Sequence, residues 1–95
     1  MKLAEEADSF GARRAGAPLR AKLRNIVKMS GGRRVVVDFS DVPLVSSSFA
    51  DEVFGKLLVE VGPLQFMQTI TLQGMSRIVS ELVDRAMRQR SRTGL

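Results

Sequence analysis

The chain has 95 residues and a net charge of +5, and a single domain of this size buries only about 60–65% of its unfolded surface. It contains no cysteine and no histidine, which excludes disulfides, thiolate or imidazole metal sites and histidine-assisted catalysis within it. No apolar run approaches the roughly 18 residues of a membrane span, and the acidic first ten residues do not resemble a signal peptide. We therefore expect a cytoplasmic protein that is not inserted in a membrane.

Charge is distributed unevenly along the chain. Residues 9–37 carry eight basic side chains and no acidic one, whereas residues 38–60 carry five acidic side chains and one lysine. The basic residues Arg13, Arg20 and Arg24 form a candidate patch for an anionic partner such as nucleic acid. No aromatic residues are interleaved with them, which argues against stacking on single strands. Solvated helix faces are the other interpretation of the same pattern.

The first third of the chain predicts one helix. Residues 1–9 are polar and without a clear period, so we expect them to be loosely ordered or to form a short edge strand. Over residues 11–29, apolar side chains recur every three or four positions, which is typical of an amphipathic helix. Pro18 suits an early helical position, and the glycines after Ser30 end the helix.

Residues 33–39 predict a strand. Its three consecutive valines favour a strand that is covered on both faces. A turn follows at residues 40–43. Asp38 lies at the carboxyl end of the strand, where ligands of open α/β sheets bind. We expect Asp38 to give structural support by accepting hydrogen bonds from the serine loop, residues 46–48.

Residues 49–61 predict a strongly amphipathic helix. Ser48 is its predicted N-cap, and Gly62 with Pro63 ends it. Asp51 and Glu52 lie in its first turn, where they suit the helix dipole or form an ion pair with Arg13 or Arg20. Adjacent helical positions point about 100° apart, which argues against a shared catalytic centre or metal site for these two residues.

The last third predicts a strand and a helix. The strand spans residues 65–72, clearest over 69–72, and Ser76 caps a helix that ends near Arg90 before a loosely ordered tail, residues 91–95. The order is helix, strand, helix, strand, helix, with a parallel strand–helix–strand connection. Two strands are too few for a stable open sheet. Either residues 1–10 and 44–45 add edge strands, or a second copy of the chain does.

The central stretch resembles a known family. VVVDFSDV, residues 35–42, followed by the three serines at 46–48, resembles the centre of STAS domains, which are named after sulfate transporters and anti-sigma-factor antagonists. SSSFADEVFGKL, residues 46–57, and GARRAG, residues 11–16, are similar to a STAS-like family of unknown function. The resemblance extends over residues 10–90.

The resemblance implies one small α/β domain over residues 1–95, with a central mixed or parallel sheet flanked by helices and no cofactor. It also implies a non-enzymatic regulatory or signalling module that acts through protein contacts, with an ATP-binding kinase-like protein as a partner; a homodimer is a further possibility. In anti-sigma-factor antagonists a loop serine is phosphorylated, and the aligned position is Ser47. Two positions depart from that pattern, with Ser46 in place of Asp and Phe49 in place of Gly.

These inferences define a candidate interaction site. Its phosphoacceptor is Ser47, and the surrounding loop and helix contribute Ser46, Ser48, Phe49, Asp51 and Glu52. Helix capping and turn chemistry are the alternative explanation of the three serines. A small nucleic-acid-associated protein that uses its arginine-rich first helix is the alternative function.

Overall fold

A central helix organises the fold. The computed structural model describes residues 1–93. The central helix spans residues 47–61, where two α-helical pieces flank a π-helical turn. The elements of the described chain are a short 3₁₀ helix (Leu3–Glu5), α1 (Arg13–Met29), β1 (Val35–Asp38), α2 (Ser47–Ala50), the π-helical turn (Asp51–Gly55), α3 (Lys56–Val61), α4 (Pro63–Thr69), β2 (Ile70–Gln73) and α5 (Arg77–Thr93). None of these helices is both long and apolar enough to cross a bilayer.

The two strands pair in parallel, which confirms the predicted α/β class. Val35 lies opposite Ile70, and Asp38 lies opposite Gln73. The start of the chain lies along the other edge of β1. Lys2 forms a single parallel bridge with Asp38, and Leu3 is fully buried. The segment predicted to be loosely ordered is therefore held against the sheet through these residues, and its strand character is limited to one bridge.

Among the described residues, one face of the sheet is covered and the other is open. Val35 and Val37 are buried, whereas Val36 between them is 36% exposed. Because side chains alternate along a strand, Val36, Asp38 and their partners on β2 lie on the outer face. The prediction that helices cover both faces of β1 is wrong. An unbroken run of valines does not distinguish a strand buried on both sides from one buried on a single side.

The predicted second strand starts too early. Residues 63–69 form α4, and only residues 70–73 are extended. Gly62, with φ 89°, ends the central helix, and Pro63 occupies the first turn of α4, where a missing N–H is harmless. Phe66 and Thr69, three positions apart, are the buried residues of α4. At the other end, α5 continues past Arg90 to Thr93, so residues 91–93 of the predicted tail are helical, and residues 94–95 lie outside the described part.

The core forms around the central helix. Phe49, Val53, Phe54 and Leu57 on this helix are fully buried. Two glycines let neighbouring elements approach it closely. A Cβ atom at Gly16 of α1 would lie 2.9 Å from Val53 Cγ2, and one at Gly55 would lie 3.3 Å from the main-chain oxygen of Ala86 on α5. The helix is therefore in near-backbone contact with α1 on one side and α5 on the other.

Replacement of Gly55 by alanine tests this close packing. Alanine in place of a helical glycine ordinarily stabilises by about 0.5–1 kcal/mol. Here the added Cβ would lie 2.6 Å from Asp51 Oδ1 and 3.0 Å from Arg90 Cγ. We expect Gly55→Ala to lower the free energy of unfolding by about 2 kcal/mol, measured by urea denaturation. Gly11→Ala is the control, because the nearest atom to its Cβ would be 3.7 Å away, and an equal loss in both variants would contradict the prediction.

Candidate functional site

The serine loop is fixed at its first residue. Ser46 Oγ accepts a hydrogen bond of 2.9 Å from the Phe49 N–H, and the Ser46 N–H donates to the main-chain oxygen of Phe10 over 2.9 Å. The N-cap is thus Ser46, and the prediction of Ser48 is wrong because the helix begins at Ser47. The Phe10 and Phe49 rings pack edge to face with centroids 5.4 Å apart. The loop is therefore anchored by its cap and by a buried ring.

Ser47 and Ser48 are the exposed serines of this loop. They line an open cleft together with side chains from α1, the π-helical turn and α5: Arg13, Asp51, Gln89 and Arg90. Phe49 and Glu52, which the sequence assigned to the interaction site, are buried. A partner at this end of the molecule would meet the two hydroxyl groups and the cleft, and it would not contact Phe49 or Glu52 directly.

Asp51 is held by arginines from two different helices. Arg90 of α5 binds it in a bidentate manner, with Nε and Nη2 each 2.7 Å from a carboxylate oxygen. Arg13 of α1 donates from Nη1 to Oδ2 over 2.8 Å. The hydrogen bonds from Arg90, helped by Arg13, outweigh the opposing effect of burial and lower the pKa of Asp51 to about 2. Asp51 thus joins the two ends of the chain through one ionised carboxylate.

Glu52 is held by three cations although it is only 4% exposed. Lys56 Nζ lies 2.9 Å from Oε1, Arg20 Nη1 contacts Oε2, and Arg13 Nη1 lies 3.1 Å from Oε1. Burial would by itself raise the pKa of Glu52, but the hydrogen bonds from Lys56, Arg20 and Arg13 outweigh it and lower that pKa to about 2. Glu52 therefore stays ionised well below neutral pH.

The predicted basic patch packs against the central helix. Arg13 and Arg20 reach Glu52, as expected from the sequence, and that ion-pair prediction is confirmed. Farther along α1, Arg20 Nε and Arg24 Nη1 lie 2.7 and 2.5 Å from the two carboxylate oxygens of Glu60. All three arginines of the patch are thus paired with carboxylates inside the molecule, which reduces the positive charge they offer to an external phosphate backbone.

Asp38 supports a different loop from the one predicted. Its Oδ1 accepts hydrogen bonds from the Ser40 N–H at 2.9 Å and from Ser40 Oγ at 2.7 Å. These two bonds lower the pKa of Asp38. The expectation that Asp38 accepts from residues 46–48 is wrong, because the chain turns immediately after β1 and brings Ser40 to the carboxylate first. Its structural role is retained at the end of the sheet.

Two of the cations that bind Asp51 and Glu52, namely Lys56 and Arg90, were not predicted from the sequence. Lys56 lies four residues after Glu52, a spacing at which helical side chains meet, so the pattern contained a usable signal for it. Arg90 lies 39 positions from Asp51, and no local pattern points to it. Within residues 1–93, no group of three or more acidic, histidine or cysteine side chains is arranged to hold a metal ion.

The family profile of a STAS-like domain of unknown function matches residues 15–79. The chain belongs to the STAS-like domain family. The matched range includes the serine loop, Asp51, Glu52 and Arg20, while Arg13 and Arg90 lie outside it. No curated protein and no solved structure matches the chain.

The buried carboxylate of Glu52 gives the STAS-like domain a measurable acid response. Glu52→Ala leaves Arg20 without its buried partner, and we expect a loss of about 3 kcal/mol in the free energy of unfolding at neutral pH. Glu81→Ala is the control, because its helical pair with Arg77 is exposed and should contribute under 1 kcal/mol.

The pH dependence has a definite sign. The pKa of Glu52 is lowered from 4.5 to about 2, so its stabilising effect is complete above pH 4.5 and is lost as pH falls toward 2. We expect the stability difference between wild type and Glu52→Ala to shrink across that interval in urea titrations. A difference that stays constant from pH 7 to 2 would contradict the assigned ion pairs.

Proposed function

We propose that this STAS-like domain is a non-enzymatic regulatory module that binds a protein partner through the serine loop, with Ser47 as a phosphoacceptor that switches the contact. The exposure of Ser47 and Ser48 carries the proposal. They present free hydroxyl groups at the start of a helix, whereas Phe49 and Glu52 of the predicted contact residues are buried.

The loop is suited to recognition because its main chain is already ordered. Ser46 caps the helix before the two exposed serines, and the buried side chain of Phe49 anchors the chain directly after them. A segment that is held in one conformation before binding loses less conformational entropy on association. A partner can therefore bind the serine hydroxyls without first ordering the loop.

The neighbouring charges would make the contact sensitive to phosphorylation. The γ-phosphoryl group of ATP would transfer to Ser47 Oγ, with release of ADP and of the hydroxyl proton. The phosphate adds a charge of about −2 in the same cleft as Arg13 and Asp51. Arg13 is the more exposed of the two arginines on Asp51, with 46% of its side chain accessible. A phosphate on Ser47 would repel Asp51 and compete with it for Arg13.

The proposed setting is cytoplasmic, with an ATP-binding kinase-like protein as the partner, following the resemblance of the loop to anti-sigma-factor antagonists. The alternative of a nucleic-acid-associated protein has less support. Arg13, Arg20 and Arg24 would have to leave Asp51, Glu52 and Glu60 to bind phosphates. Such a rearrangement would expose or strand the nearly buried Glu52 carboxylate.

Site-specific crosslinking tests the contact. A photo-crosslinking amino acid at position 47 should capture a protein from extracts of the source cells that the same group at Ser91, an exposed serine on α5, does not capture. We then expect Ser47→Asp to weaken binding of the purified partner at least about tenfold, with Ser47→Ala close to wild type. Equal capture at both positions, or equal affinity of all three proteins, would contradict the proposal.

A further inference from the structure

The outer edge of β2 carries hydrogen-bonding groups that no strand of the described chain pairs. Of the described strands, only β1 is bonded to β2. The Phe39 N–H donates to the Gln73 main-chain oxygen, so the main-chain groups of Gln73 point toward β1. Because the direction of main-chain groups alternates along a strand, the N–H and C=O of Leu72 point away from β1. This edge is a template for another strand.

The edge lacks the features by which proteins keep strand edges apart. Lysine, proline and bulges are the usual protection, and β2 reads Ile-Thr-Leu-Gln without any of them. The whole segment of residues 61–76 contains no charged residue, in a chain in which 26% of residues are charged. Leu64 and Met67 on α4, which leads into β2, are 71% and 67% exposed. This uncharged segment is thus also partly apolar.

Charge indicates which occupant fits this edge. Two copies of the chain carry +5 each and repel one another wherever their basic surfaces meet. Cations from other elements lie beside α4, where Arg34 Nη1 donates to the main-chain oxygen of Met67 and Arg88 and Arg92 share a cleft with Met67. The β2 edge itself, residues 70–73, carries no charge, so pairing along it brings no like charges of the two strands together. An acidic partner would instead favour exposed basic side chains on α1 and α5, such as Arg14 and Arg85. A neutral edge on a basic protein therefore favours a second copy of the same chain.

We propose that two copies of this domain associate through antiparallel pairing of their β2 strands about a two-fold axis. The two parallel pairs then join in one four-stranded sheet, which meets the need of a small sheet for more than two strands. In a two-fold interface each contact occurs twice. The pairing uses the N–H and C=O of Leu72, which face residue 70, 72 or 74 of the other copy depending on register. This inference is independent of the switch at Ser47.

Paired charges at the outer face test the association. Thr71 and Gln73 lie on that face, away from the buried side of the sheet. In each of the three registers, one of these two positions lies opposite itself or opposite the other in the second copy. Thr71→Lys/Gln73→Lys and Thr71→Glu/Gln73→Glu each place like charges directly across the seam, which destabilises strand pairing. An equimolar mixture of the two variants places opposite charges there.

Sedimentation equilibrium over a concentration series measures the outcome. For the 10.5 kDa chain we expect a wild-type dimer, a dissociation constant raised about tenfold or more in each double variant, and recovery in their mixture. The control Ser9→Lys/Asn25→Lys adds the same charge at exposed positions elsewhere and should remain dimeric. Circular dichroism checks that every variant is folded.

Three outcomes would overturn the inference. The wild type sediments as a monomer at every concentration, the two double variants dimerise as well as wild type, or their mixture shows no recovery. Ser47→Asp should dimerise like wild type, because the serine loop lies outside the proposed seam. A loss of partner binding at Ser47 with an intact dimer, or the reverse, therefore separates this proposal from the proposed function.

Discussion

The ion pairs that α1 and α5 form with two adjacent carboxylates of the central helix are the constraint on which the rest of this domain depends. Asp51 is bound by Arg90 and Arg13, and Glu52 by Arg20, Arg13 and Lys56. A carboxylate as buried as Glu52 is tolerated only when opposite charges and hydrogen bonds satisfy it. Lys56 belongs to the central helix, and the arginines come from helices on both sides of it. Their pairing therefore fixes how the first and last helices pack on it, together with the close approaches at Gly16 and Gly55.

The same ion pairs help to position the serine loop. Asp51 follows Ser47 by four residues, so the serine loop and the ion pairs of Asp51 lie within about one helical turn of each other. Arg13 donates hydrogen bonds to both carboxylates. A negative charge added at the loop that attracted Arg13 would therefore weaken its bonds to Asp51 and to the buried Glu52. The proposed switch at Ser47 and the stability of this STAS-like domain thus involve the same few contacts, and the exposed loop is coupled to the core.

Local patterns predicted what depends on neighbouring residues. The parallel strands, the amphipathic central helix and the Ser76 cap, which accepts from the Val79 N–H, follow from periodicity and capping chemistry. The ion pairs to Arg13 and Arg20 followed from opposite charge. The features that were missed depend on distant parts of the chain. Arg90 reaches Asp51 from the last helix, and the α4 residue Phe66 is buried in a core that other elements form. In the described part, residues 1–93, no helix packs over Val36 on the outer face of β1.

The π-helical turn at residues 51–55 has a consequence for how this chain tolerates change in length. Its hydrogen bonds span one residue more than those of an α-helix, so it accommodates one additional residue without breaking the helix. Removal of a single residue there would let the turn relax into ordinary α-helix. Everything before it would then rotate by about 100°, turning Ser47 and its neighbours away from the cleft between α1 and α5. The phase of the helix, as much as the identity of its side chains, holds the serines where they are.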